Sequence, residues 1–163
     1  MFDTALTVAQ TLSVAGLAAW LGTGVYDNLR HPGVNEAHTA EVLSMARMRR
    51  AYPDVFAVVA HRAITRRAAQ LMAFRAVVAA ELVVFAMLLA AVVALLMALW
   101  GTATLETARA IALIGAASFA AIWVGFLVVG NYFCYWLCHE GAQSTQYQMT
   151  LWGLAVAILL AAG

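Results

Sequence analysis

The sequence contains no lysine, and acidic and basic residues together make up only 10% of its 163 positions. A soluble domain carries about 25% charged residues, so this chain cannot build a water-facing surface over most of its mass. Its net charge of +1 supplies no clustered basic excess, which excludes phosphate-backbone binding and with it nucleic acid as a partner. Cysteine occurs only at Cys134 and Cys138. Four residues apart, they share one helical face at a spacing ill suited to a disulfide, so a redox role is the weaker expectation. No nucleophile-and-base constellation and no phosphate-binding glycine loop is visible, no catalytic residue is assigned, and the chain leans away from enzymes.

What is abundant is apolar: 65% of residues are hydrophobic. Each α-helical crossing of a bilayer needs about 20 such residues. The length therefore bounds the architecture at four crossings and one modest extramembrane segment, a single membrane domain over 1–163. The spacing predicts an all-α integral membrane four-helix bundle with helices at about 5–26, 71–100, 110–137 and 146–162. The first run lacks a basic n-region and outlasts a signal-peptide core, so it is expected to be a retained helix. Its small residues, among them Ala15, Ala19 and Gly22, suit close helix approach in lipid.

Between the first two crossings, residues 27–70 hold Pro32, Pro53 and seven of the nine arginines. The prolines divide this loop. The stretch between them interleaves Val42, Leu43, Met45 and Met48 with Glu36, Glu41, Arg47, Arg49 and Arg50, the pattern of a helix lying on a membrane surface. A second short helix is expected from Asp54, a favourable charge at a helix start.

Glu81 is the sharpest single feature, because a carboxylate within a membrane helix is costly and faces the bundle interior with a partner. Antiparallel crossings bring it level with Asn131 and Tyr132, its expected hydrogen-bond partners. Asp27, Asn28, Glu81, Asn131, Tyr132, Gln143, Gln146 and Gln148 are expected to gather at one membrane face. Such a patch serves either as a small-molecule or partner site or as ordinary satisfaction of loop backbone. For Glu81 alone, a proton, quinone-headgroup or metal contact competes with an interhelical clamp. The clamp is the more economical account, since such bonds contribute only about 0.6–2 kcal/mol in membranes.

His31, His38, His61 and His139 show no haem or metal spacing. Cys134, Cys138 and His139 are the only compact trio with metal-ligand chemistry, and a weak one. Bound lipid or quinone stays open as a cofactor. The arginines of the first loop suit solvent, lipid headgroups or a protein partner.

The segments DNLRHPGVNEAHTAEVLSMA, HRAIT with the later Glu81, and GFLVVGNYFCYW with its glutamine-rich turn resemble a family of predicted small integral membrane proteins, domain of unknown function 2165. The resemblance extends over nearly the whole chain. It implies a four-helix bacterial membrane protein with a structured first loop, and no activity. The sequence departs from the family pattern at His61, where an aromatic residue is expected, and near Asn131, where an acidic one is. The arginine-rich loop favours the cytoplasm by the positive-inside rule, whereas the family pattern places both termini there, and the two orientations stay open. The expected role is a non-catalytic accessory or structural subunit of a larger complex, respiratory, photosynthetic or otherwise redox, in the bacterial inner membrane, with the lipid bilayer and other subunits as partners. A cofactor-binding redox subunit is the alternative, and a small transporter or channel ranks third.

Overall fold

The computed structural model describes residues 1–162. Among them it has eight α-helices, one 3₁₀ turn and no strand: α1 (Phe2–Arg30), α2 (Pro32–Leu43), α3 (Ala46–Ala51), α4 (Pro53–Val59), the turn Ala60–Arg62, α5 (Arg67–Leu99), α6 (Leu105–Tyr132), α7 (Tyr135–Cys138) and α8 (Glu140–Ala161). The helices follow from uninterrupted apolar sequence, and their ends from local chemistry. After α5, Gly101 takes φ 73°, and Thr102 N–H reaches back to the Met97 carbonyl at 2.9 Å. That six-residue loop back is a Schellman-type stop, which glycine permits without steric cost. Thr104 then caps α6, its hydroxyl accepting from Thr107 N–H at 3.3 Å, and Glu106 meets the positive end of the helix.

Three helices, α1, α5 and α6, are long and apolar enough to cross a membrane. The expected fourth, α8, has 22 residues, and its first half carries Gln143, Ser144, Thr145, Gln146 and Gln148. The four-crossing bundle expected from sequence thus stands as three candidate crossings with a fourth, more polar helix packed beside them. All four contribute to one apolar core: Leu17 from α1, Leu88 and Leu95 from α5, Ala112 and Phe119 from α6, and Leu160 from α8 are each 0–2% exposed. Contact between α6 and α8 is close. A Cβ added at Gly153 would stand 3.0 Å from the Ala120 Cβ and 3.1 Å from the Ala120 backbone nitrogen.

Three boundaries differ from expectation. Residues 27–70, expected to be a partly helical loop, are mostly helical, with α1 running on to Arg30 and α2 and α4 each starting at its proline. Proline is well placed there, because the first-turn N–H has no helical partner to lose. Between α2 and α3 the chain breaks at Met45, at φ 51°. Finally, α6 ends at Tyr132 rather than near 137, with Cys134 at φ 55°. Gly130 makes room for that break: a Cβ there would meet the Cβ and ring of Tyr135 at 3.2 Å. Arg62 secures it, its guanidinium donating to the Tyr132 carbonyl at 3.1 Å, one of the acceptors a helix C-terminus leaves open. Cys134 and Cys138 therefore flank a reversal instead of sharing a helical face. Both are free thiols, buried with Leu43, Met45, Met48 and Phe133 in a second, smaller apolar cluster.

Gly153→Val is expected to cost about 1–3 kcal/mol through overpacking against α6. Gly125→Ala, whose new methyl meets nothing within 4 Å, is expected to be neutral or stabilising by up to about 1 kcal/mol. Unfolding of both purified variants by titration with a denaturing detergent checks the contrast, and equal midpoints would contradict the packing described.

Candidate functional site

The helices α2, α3, α4 and α7 form a cap at the C-terminal end of α1. Beneath it, Glu81 is the one charged residue among the described buried ones, at 7% exposure. Asn28, near the end of α1, donates from Nδ2 to Glu81 Oε2 at 2.6 Å. Asn28 Oδ1 in turn accepts from Asn35 Nδ2 of α2 at 2.7 Å, and Asn35 is exposed. A continuous chain of polar side chains therefore leads from the buried carboxylate to the cap surface.

At the opposite end, Gln10 of α1 is fully buried. Its Nε2 donates to the Leu159 carbonyl at 3.0 Å, and its Oε1 accepts from Arg109 Nε at 3.0 Å. That latch joins α1, α6 and α8. Gln10 and Asn28 are eighteen residues apart on α1, about 27 Å at about 1.5 Å per residue. Glu81 and Leu99 on α5 have the same separation. Both distances match the hydrocarbon thickness of a bilayer, about 30 Å. Glu81 with Asn28 and Gln10 with Arg109 thus form two polar levels separated by about one hydrocarbon thickness.

At the cap, His38 of α2, itself exposed, is 2.9 Å from the buried Tyr135 hydroxyl through Nε2. The Tyr135 ring stacks on His139 at 4.7 Å between centroids, and the two imidazoles meet edge to face at 5.4 Å. Burial raises the Tyr135 hydroxyl above its ordinary pKa, and a hydrogen bond with Gln146 opposes this. The other end of that amide, Gln146 Oε1, is buried without a hydrogen-bond partner. Burial lowers the His139 pKa, aided by charge on His38 and Arg47 and opposed by Glu41 and Glu140. Two histidines, a phenol and an amide thus converge where α2, α7 and α8 meet.

The single patch expected from sequence is divided. Asn28 and Glu81 are joined, but the expected partners of Glu81 lie elsewhere. Asn131 is exposed and accepts from Gln143 Nε2 at 3.1 Å. Tyr132 is exposed too, with the Arg62 guanidinium 5.2 Å from its ring centroid. The register of α5 against α6 differs from expectation: Gly115 packs against Leu88 and Ala91, which sets Glu81 well short of Asn131, and α1 runs on to Arg30 and brings Asn28 to the carboxylate instead. Asp27 is exposed on the neighbouring face of α1, Gln146 joins the histidine cluster, and Gln148 bonds to Ser144 at 3.4 Å. Among the described residues no group of three or more His, Cys, Asp and Glu side chains is placed to hold a metal. The trio of Cys134, Cys138 and His139 is accordingly not such a group, and burial further raises the Cys138 thiol pKa, disfavouring the thiolate a metal needs. Gln10, Asn35 and the pairing of His38 with Tyr135 went unnoticed in the sequence. Partners 97 positions apart leave no local spacing to detect.

Two outcomes test this geometry. In a double-mutant cycle of Asn28→Ala and Glu81→Ala, the pair is expected to couple by about 0.6–2 kcal/mol, and additive effects would contradict the bond. For His139 the lowered pKa means that the unfolded chain binds more protons between the folded value and the ordinary one of about 6.5. Its contribution to stability is then full above pH about 6.5 and is lost as pH falls through the folded value. Thermal midpoints should decline on acidification from neutral, and the decline should flatten in His139→Gln.

No curated protein and no solved structure matches the chain. The model of the family described as predicted small integral membrane protein (DUF2165) matches residues 6–162, and the chain belongs to that family.

Proposed function

We propose that this integral membrane protein is a non-catalytic accessory subunit of a larger complex in the bacterial cytoplasmic membrane, held by its helices and presenting the cap to one side. In this proposal α8 is a fourth crossing. Its polar first half lies level with the cap-side edge, where Gln143 and Gln146 find partners, and its apolar second half reaches the Gln10 latch. Both termini then share the side opposite the cap.

The observation that carries the proposal is a groove between α1 and α5, open toward lipid. Ala15, Ala19 and Gly22 line one wall and Phe85, Leu89 and Val92 the other. It lies between the two polar levels, so its occupant is another apolar helix or lipid. Small residues along one wall permit the close backbone approach by which helices associate in a bilayer, and Thr23 and Asp27 at the cap-side end offer the polar contacts that fix register.

Native electrophoresis of the tagged chain extracted from its own membranes in mild detergent tests this directly. The wild type is expected to migrate with other subunits at a mass well above a dimer. Ala19→Leu, which fills the groove, is expected to release it without lowering its thermal midpoint. A wild type that runs as a monomer or as a dimer of itself would refute the proposal, as would an Ala19→Leu variant that stays in the complex.

A second reading, a redox subunit holding a quinone headgroup, is favoured by one observation: the unpaired Gln146 Oε1 beside Tyr135 and the two histidines is a buried acceptor awaiting a donor. Organic extraction of the native complex would find quinone stoichiometric with this chain if that reading holds, and none if it does not.

A further inference from the structure

A second groove opens where α1 ends, between α1, α2 and α5, and shares no lining residue with the one above. Its lower wall is Val78, Ala79 and Leu82, and its upper rim holds Pro32, Glu36 and Arg75. Apolar side chains, Leu71 and Phe74 included, thus run the length of the α5 wall, with the charged Glu36 and Arg75 beside its upper part.

The charges at the rim are not balanced within the protein. Glu36 is ion-paired with Arg67, which leaves Arg75 as the cation of the groove. Arg75 is exposed and enters neither of the two ion pairs among the described residues. Among the described residues no side-chain hydrogen bond involves it either. Its level is also informative. Six residues separate it from Glu81, about 9 Å toward the cap at about 1.5 Å per residue. The polar zone beyond the hydrocarbon is about 5–8 Å deep on each side of a bilayer, so Arg75 stands at the outer side of that zone. Because α5 starts on the cap side, its side chains lean that way, so the guanidinium stands above the apolar wall, on the water-facing side of the lipid phosphates.

We propose that this groove is a binding site for one phospholipid, with the phosphodiester paired to Arg75 and the upper acyl segments lying on Val78, Ala79 and Leu82. An arginine fork matches phosphate oxygens bidentately, and a lipid alone supplies both the anion and the apolar chains that the groove spans. The site does not depend on a partner subunit.

The test uses the full chain, purified in mild detergent and stripped of lipid. Phosphatidylglycerol and phosphatidylethanolamine are each expected to give a one-to-one adduct in native mass spectrometry and to raise the thermal midpoint, whereas diacylglycerol and inorganic phosphate do neither. Arg75→Gln is expected to weaken the adduct about tenfold, the loss of one charge-assisted pair. Ala79→Trp, which blocks the apolar wall and leaves the charge in place, is expected to weaken it independently. Arg49→Gln, an exposed cap arginine outside the groove, should change nothing. Equal protection by diacylglycerol would show apolar adsorption only, and equal protection by inorganic phosphate a soluble-anion site. Either result, or an adduct that survives both groove variants, overturns the proposal.

Discussion

The hydrogen bond from Asn28 to Glu81 is the contact on which the cap side of the molecule depends. A carboxylate at the hydrocarbon edge has no dependable water, so its donor must come from the protein. Asn28 can supply that donor only if α1 stays helical past its apolar run, and it does, to Arg30. Once the Asn28 amide is committed, its own carbonyl oxygen is buried and needs a donor. That demand is met by Asn35, which requires the chain to turn at His31 and bring α2 back against α5. With α2 in place, His38 meets Tyr135, and the reversal after α6 has its partner. Each polar group that is satisfied leaves another to satisfy, and the series ends only at the exposed Asn35 and at the histidine cluster.

The other end of the molecule is governed by the same rule on a smaller scale. Gln10, fully buried on α1, uses both ends of its amide, one on the Leu159 carbonyl and one on Arg109. Between the two levels the core is built chiefly from Leu, Val, Ala and Phe, with two buried threonines among them. Thr11 and Thr150 each donate to the carbonyl four residues earlier on their own helix, which removes a hydroxyl from lipid without any partner helix. The separation of the two levels, rather than the apolar count of any one helix, is what fits the chain to a bilayer.

Much of this was legible in the sequence. Composition alone dictates a membrane chain, the prolines locate the starts of α2 and α4, and Gly101 with Thr104 marks the turn between α5 and α6. The importance of Glu81 was legible too, because a lone carboxylate in an apolar run has few physical excuses. Its partner was not, since matching positions on antiparallel helices requires the true ends of both. The reversals at Met45 and Cys134 were equally hidden. Both are non-glycine residues in the left-handed region, a conformation that costs about 1–2 kcal/mol each, and nothing local in either sequence favours it. Tertiary burial offsets that cost: Met45 is 2% exposed and Cys134 8%, and both lie in the one small apolar cluster beneath the cap.

That cluster also determines how the two parts of the molecule differ in stability. The membrane helices share a core drawn from four long elements, whereas the cap is joined to them by a handful of specific bonds. Among these are Asn35 to Asn28, Glu36 to Arg67, Arg62 to the Tyr132 carbonyl, and the few buried side chains around Met45 and Met48. Regions with little buried apolar surface and short helices open at lower free energy than the cores they rest on. The groups with chemistry to offer, the two histidines, Tyr135, Gln146 and most of the arginines, lie in this less stable part, while the membrane helices below are chemically quiet.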